Sequence, residues 1–380
     1  MTVLTGLSGN ELYCLALKGY SGGDLVLGNS VHSIGFLGGI GSVFQSAFGG
    51  EVTQITEIIS DGRRESYRRM VEEATRHGGV GITGVTSSLR HFNGNIEFLS
   101  VASCLHKRGE AAAKASDPPG TAPAFTTSGN GQSLYCLLDA GYTPKKFVFG
   151  NVAYSVGLGG GLIGNLRSLA RGEIREFSDI FNRTRHAALD RVTAEARRAG
   201  ANCVLGITTE VGRFQGAHEM VMMGTAAHHP AMLAPTKDRP VTSDLTCEEM
   251  WNLTALGYAP VKLVLATAVY SLGVVGNVKS LFKSFVRGEI SDLTTLIYDA
   301  REHALDMLRA EATAIGADEV VGIKTHIHEL GSLIEFMAIG TAVKKMPGFK
   351  PVSGQLPPQA IMVDRDTWIS SDYGAFSTTR

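Results

Sequence analysis

The chain has 380 residues, 44% of them apolar and 19% charged, with 35 basic against 36 acidic side chains and a net charge of −1. That length supports two or three domains with cores of their own. The balanced charge gives no long-range field to gather nucleic acid or anionic lipid, so neither is expected as a partner. The five cysteines (Cys14, Cys104, Cys136, Cys203, Cys247) form no C-x-x-C pair, which argues against a disulfide framework and for a reducing compartment. Met1-Thr2-Val3-Leu4-Thr5 lacks the basic start of a secretory leader. Apolar stretches such as 152–166 fall short of the ~20 residues a membrane helix needs. A cytoplasmic chain without a membrane span is expected.

Ser8-Gly9-Asn10-Glu11 has the S-x-x-E spacing of a capping box and predicts a short helix that Gly19 stops. A strand follows at Leu25-Val26-Leu27-Gly28, then a glycine-rich apolar segment, a long amphipathic helix and two strands joined at Asn93-Gly94, a strong hairpin signal. The same series then recurs. Its second strand is Phe147-Val148-Phe149-Gly150; its third is Leu263-Val264-Leu265-Ala266, after a second capping box at Thr246-Cys247-Glu248-Glu249. In the third copy the long helix is expected over 289–315, where Leu293, Ile297, Ala300, Ala304, Leu308 and Ala312 make one apolar stripe.

The repeat holds its register. Gly19-Tyr20, Gly141-Tyr142 and Gly257-Tyr258 correspond, as do Arg63, Arg185 and Arg301, and Glu97, Glu219 and Glu335. The offset is 122 between the first two copies (141 − 19) and 116 between the last two (257 − 141) at all of these positions. Three modules are therefore expected at 1–108, 128–229 and 242–346. Linkers rich in Ala, Pro and Gly fill 109–127 and 230–241, and a flexible tail fills 347–380, with Trp368, Tyr373 and Phe376 as candidates for docking a protein partner. The fold class is α/β in the broad sense, more narrowly α+β, with a long helix across a small sheet.

In the third copy, the helix pattern Ala300-Arg301-Glu302-His303-Ala304 is followed by Gly316-Ala317-Asp318-Glu319-Val320-Val321-Gly322 and a last strand ending Gly340-Thr341-Ala342-Val343. These runs resemble the signature of the YbjQ-type family of heavy-metal-binding-domain proteins. The second copy keeps it as Gly200-Ala201-Asn202-Cys203-Val204-Leu205-Gly206 and Gly224-Thr225-Ala226, and the first copy is the most worn. The resemblance implies the family's fold, assembly into pentameric rings and the heavy-metal label, and it brings no catalytic residues. The triple fusion and the extra helix per module depart from the simple family member. Five chains stacking three rings, and a pseudo-symmetric ring of another size, both stay open.

A transition-metal site needs soft or borderline ligands converging on one point. His326 and His328, at i and i+2 on a strand end, are the metal candidates, with Glu329 and Glu335 as added carboxylates. The other copies carry Glu210 and Gly212, or Ser88 and Arg90, at the histidine positions, which favours a solvated turn. His228-His229 and Cys104 with His106 are weaker pairs, and Cys14 and Cys136 fit a helix core. Gly159-Gly160-Gly161-Leu162-Ile163-Gly164 matches G-x-G-x-x-G, but a long charged helix follows in place of a βαβ unit. The basic row Lys279, Lys283 and Arg287 reads as a solvated face.

Arg63, Arg185 and Arg301, with Glu97, Glu219 and Glu335, recur in every module and are better explained by a structural ion pair or an inter-module contact than by catalysis. The first reading of function is a non-enzymatic, self-assembling scaffold forming a ring or larger homo-oligomer, with no cofactor. A metal-binding or metal-buffering protein is the second reading, with a transition metal ion as its cofactor. An enzyme with its site at a module interface is the third.

Overall fold

The computed structural model describes residues 2–33, 50–92, 95–109, 121–155, 172–214, 217–232, 239–271, 291–330, 333–353 and 368–370. The glycine-rich segments, the G-x-G-x-x-G run, the basic row and the Asn93-Gly94 turn lie outside these residues.

Each module opens with a nine-residue helix: α1 (Gly9–Leu17), α3 (Gly131–Asp139) and α5 (Cys247–Ala255). The elements between them are, in chain order, β1 (Tyr20–Ser33), β2 (Gly50–Glu51), α2 (Thr53–Arg76), β3 (Gly81–Phe92) and β4 (Asn95–Lys107) in the first module. The second continues with β5 (Thr143–Ser155), β6 (Gly172–Glu173), α4 (Arg175–Arg198), β7 (Cys203–Phe214) and β8 (Ala217–His228). After β9 (Val241–Thr242) the third holds β10 (Tyr258–Ser271), α6 (Ser291–Ala314), β11 (Glu319–Leu330) and β12 (Leu333–Lys345), and β13 (Trp368–Ser370) ends the described chain. This is an α+β protein of three repeated modules.

Both capping boxes form: Ser8 and Thr246 accept from the backbone of Glu11 and Glu249, whose carboxylates accept from the cap amides in return. In each module the first long strand pairs antiparallel with the last, and the last with the third, as in β1-β4-β3. A bulge interrupts the outer pairing between Thr83 and Thr86, and again at Leu205/Thr208 and Val321/Lys324. Gly84, Gly206 and Gly322 sit in these bulges at φ +70, +62 and +65, a backbone state that costs a side chain about 1–2 kcal/mol. The long helix lies on this sheet, with Ile55, Ile59, Met70 and Ala74 of α2 buried along one stripe.

Two features tie each module to the next. The two-residue strand β2 pairs with β5 of the following module (Gly50 opposite Ser155), and β6 pairs with β10 in the same way (Gly172 opposite Ser271). In return, the segment before each later module adds to the preceding sheet. Thr126 bridges Ile82 in parallel, and β9 runs parallel to β7. The C-terminal part of the linker expected over 109–127 is therefore packed, with Phe125, Thr126 and Thr127 buried. The tail expected to be flexible from 347 also begins as a packed segment. Phe349 is buried against Tyr142 and His229, Val352 donates its amide to the Asp139 carbonyl, and β13 pairs with β7.

Candidate functional site

The candidate site is the junction between consecutive modules, and it is made twice. Arg63 and Arg185 stand in the buried stripes of α2 and α4, among apolar positions, where an unpaired guanidinium would carry a heavy desolvation cost. Each reaches out of its own module. Arg63 donates from Nη2 to Glu219 Oε1 at 3.2 Å and Oε2 at 3.3 Å, and from Nη1 to the Ser87 carbonyl at 3.0 Å. Arg185 donates from Nη2 to Glu335 Oε2 at 2.6 Å and Oε1 at 2.8 Å, from Nε to Oε1 at 3.1 Å, and from Nη2 to Tyr154 Oη at 2.6 Å.

The second pair is fully enclosed, with both side chains at 0% exposure. Its carboxylate also accepts from Thr267 Oγ1 at 2.8 Å, and the guanidinium lies 4.3 Å from the Tyr154 ring centre. Burial alone would push the Glu335 carboxyl up, but the adjacent Arg185 guanidinium, the nearby His328 and the hydrogen bonds from Arg185 and Thr267 together hold the group below its usual range. Burial would likewise lower Arg185, and Glu335 and Tyr154 together reverse that.

Hydroxyls beside the ion pair complete the junction. Thr56 Oγ1 accepts from the Ala153 amide and Ser178 Oγ from the Val269 amide, both at 2.9 Å. The carbonyls of Ala153 and Val269 accept in turn from Val52 and Ile174, each at 2.8 Å. Apolar contact surrounds these bonds. Val26, Met70 and Val85 share a cluster with Phe147, Phe149 and Met223, and Phe181 and Ile207 share one with Leu263, Leu265 and Met337. The opening helices also meet: Lys18 Nζ donates to Asp139 at 2.6 Å, and Trp251 Nε1 donates to the same carboxylate at 2.8 Å.

Of the six repeated residues, the structure brings together Arg63 with Glu219 and Arg185 with Glu335. Arg301 is exposed on α6, and Glu97 is half-buried on β4. The hydroxyls of Thr56 and Ser178 escaped sequence reasoning, although with Thr294 they follow the same offsets and so carried a signal.

The metal candidates are less convergent. His326 and His328 lie opposite Met337 and Glu335 on β12, with His328 buried at the edge of the Arg185 pair. Burial pushes the Glu335 carboxyl up, and His328 stands after Arg185 among the groups that draw it down. Among the described residues, no group of three or more His, Cys, Asp or Glu is placed to hold a metal ion. All five cysteines are buried, and burial pushes their thiols up (Cys104 to about 11), which disfavours the thiolate that binds metal. His228 and His229 are parted: His228 is exposed, whereas His229 packs at an angle against the rings of Tyr142 and Phe349, and burial lowers its pKa.

The YbjQ family, described as "Putative heavy-metal-binding", matches the chain three times, at residues 18–103, 142–229 and 258–346. The chain belongs to the YbjQ family. Its relatives include an encapsulin nanocompartment protein of Mycobacterium tuberculosis, 30% identical over 227 residues that span 58% of this chain and 83% of that protein. A UPF0145 protein of Bradyrhizobium sp. is 40% identical over 90 residues, 23% of this chain and 81% of the relative. One from Methanocella arvoryzae is 37% identical over 83 residues, 21% of this chain and 68% of the relative. These two each match a stretch about the length of one YbjQ module. No helix among the described residues is long and apolar enough to cross a membrane.

Proposed function

We propose that this YbjQ-family chain is a non-enzymatic, self-assembling scaffold that forms a ring or larger homo-oligomer in the cytoplasm. The observation that carries this reading is the junction itself: the same buried Arg–Glu contact, with the same swapped strand and hydroxyl, joins modules 1 and 2 and then 2 and 3. A face that recurs on every module and binds the next module is what an assembling protein requires. The similarity to an encapsulin nanocompartment protein supports a role of this kind. Of the polar groups that recur in register, Arg63 meets Glu219 and Arg185 meets Glu335 across the junctions, and a catalytic constellation would need them gathered around a cleft.

The family's heavy-metal description favours a second reading, metal binding or buffering, in which His326 and His328 present imidazoles from one strand face.

Native mass spectrometry of the purified protein, with elemental analysis of the same sample, separates the readings. A defined oligomer without stoichiometric metal supports the scaffold. A stoichiometric transition metal, lost in His326→Ala/His328→Ala, would establish the second reading instead, and a metal-free monomer would overturn both.

A further inference from the structure

The end faces of the chain expose the counterparts of residues that are buried at the two junctions. On module 1, Leu27 is 50% exposed, whereas its counterparts Phe149 and Leu265 are 5% and 1% exposed inside the junctions. Leu25 and Val31 follow the same rule: both are exposed, and Phe147, Leu263, Ala153 and Val269 are buried. On module 3 the complementary face is open. Ile323 is 46% exposed, against 3% for Val85 and 0% for Ile207, and Ile327 is exposed where Val211 is buried.

The polar groups divide in the same way. Arg301 and Thr294, which match Arg185 and Ser178, are exposed on α6 of module 3. Glu97 and Val31, which match their partners Glu335 and Val269, are on module 1. Where Lys18 meets Asp139 across the first junction, the two positions left for a third are Leu256 and Leu17, a pair of exposed leucines that could cover each other. β1 and β11 are edge strands of their sheets among the described residues, whereas β5 and β10 are flanked by β2 and β6. Of the exposed large apolar side chains among the described residues, only Val352 is remote from the elements that would form this third junction. An apolar surface of this extent, matched in register to an interface already made twice, calls for the same covering.

We infer that module 3 of one chain docks on module 1 of a second copy through the junction already seen within the chain, with Arg301 paired to Glu97 across the boundary. This deepens the scaffold reading and rests on it. Modules then run 1-2-3-1-2-3 along a continuous row, not in stacked rings of one module type. The contact is heterologous, so the row closes into a ring or extends as a filament according to the rotation per junction.

The test uses the full-length protein and two single variants, Glu97→Arg and Arg301→Glu, each at an accessible position. Each alone places like charges at every chain-to-chain boundary, and the concentration at half assembly, read by light scattering and native mass spectrometry, should rise on the order of a hundredfold. An equimolar mixture should assemble again, because Arg301 of the first variant meets Glu97 of the second. Circular dichroism melts near wild type keep loss of folding from imitating the effect. Independently, a mixture of Glu97→Cys and Arg301→Cys chains treated with a short bis-maleimide should give a covalent dimer. A wild-type oligomer that neither charge variant disturbs, with no cross-link, would overturn this contact and leave self-assembly standing. A wild-type monomer would overturn both.

Discussion

Arg185 of the second module and Glu335 of the third are joined by a two-pronged contact with no exposure to solvent, across 150 residues of sequence. The pair sits between an apolar helix stripe and an apolar sheet, so each ion depends on the other for its solvation. Replacing one partner leaves a buried charge alone. Arg185→Met or Glu335→Leu should each cost about 3–5 kcal/mol in chemical denaturation. The double variant should cost clearly less than the sum, because neither charge remains. Additive losses would mean that the two side chains act independently.

The same pair sets an acid limit. The folded state holds Glu335 below its ordinary value of 4.5, so its contribution to stability is present above that value. It is lost as pH falls through the lowered folded value, because protons then bind more readily to the unfolded chain. Stability measured from pH 6 to pH 3 should fall steeply below about 4.5 in the wild type. The fall should be shallower in Glu335→Gln, which lacks that proton site. Equal slopes would assign acid unfolding to other carboxylates.

The bulge glycines offer a backbone test. Gly206 sits at φ +62, and an added Cβ would lie 4.0 Å from Cys247 Sγ, so a methyl group there meets strain and no clash. Gly206→Ala should cost about 1–2 kcal/mol, and Gly206→Asn less, since asparagine tolerates this conformation better. Gly322→Ala should cost more than Gly206→Ala, because its added carbon would approach Leu245 Cδ2 to 2.7 Å. Thermal melts of the three variants check the order.

What the sequence revealed was local or periodic. The capping boxes, the terminal glycines and the apolar stripes depend on spacings of three and four residues, and the modules follow from one constant offset. Which arginine meets which glutamate does not. Arg63 is equally matched by register to Glu97, Glu219 and Glu335, and only the three-dimensional offset between modules selects Glu219. The swapped strands Gly50–Glu51 and Gly172–Glu173 are two residues long, too short for any alternation to show. Phe125 to Thr127 reads as linker because its partner, β3, lies some 40 residues away in sequence. The metal candidates were legible as residues, but the role of His328 beside the Arg185–Glu335 pair depended on β12 folding back opposite it.

Asp139 gathers three parts of the chain at one carboxylate. It accepts from Lys18 at 2.6 Å, from Trp251 Nε1 at 2.8 Å and from Ser353 Oγ at 2.6 Å, one donor from each outer opening helix region and one from the start of the tail. Burial would raise its pKa, yet Lys18, Ser353 and Trp251 together hold it below the ordinary carboxylate range. Asp139→Ala should therefore loosen the opening-helix layer and release the segment around Phe349 together. Hydrogen exchange should quicken at the amide of Val352, which bonds to the Asp139 carbonyl, and at Ser353, while the β5–β8 ladder stays protected. Trp251→Phe removes one donor and keeps the other two, so it should weaken the layer by about 1 kcal/mol and leave the tail in place. If the tail amides exchange no faster in Asp139→Ala, Phe349 packing on Tyr142 and His229 is what holds the segment, and Phe349→Ala should release it instead.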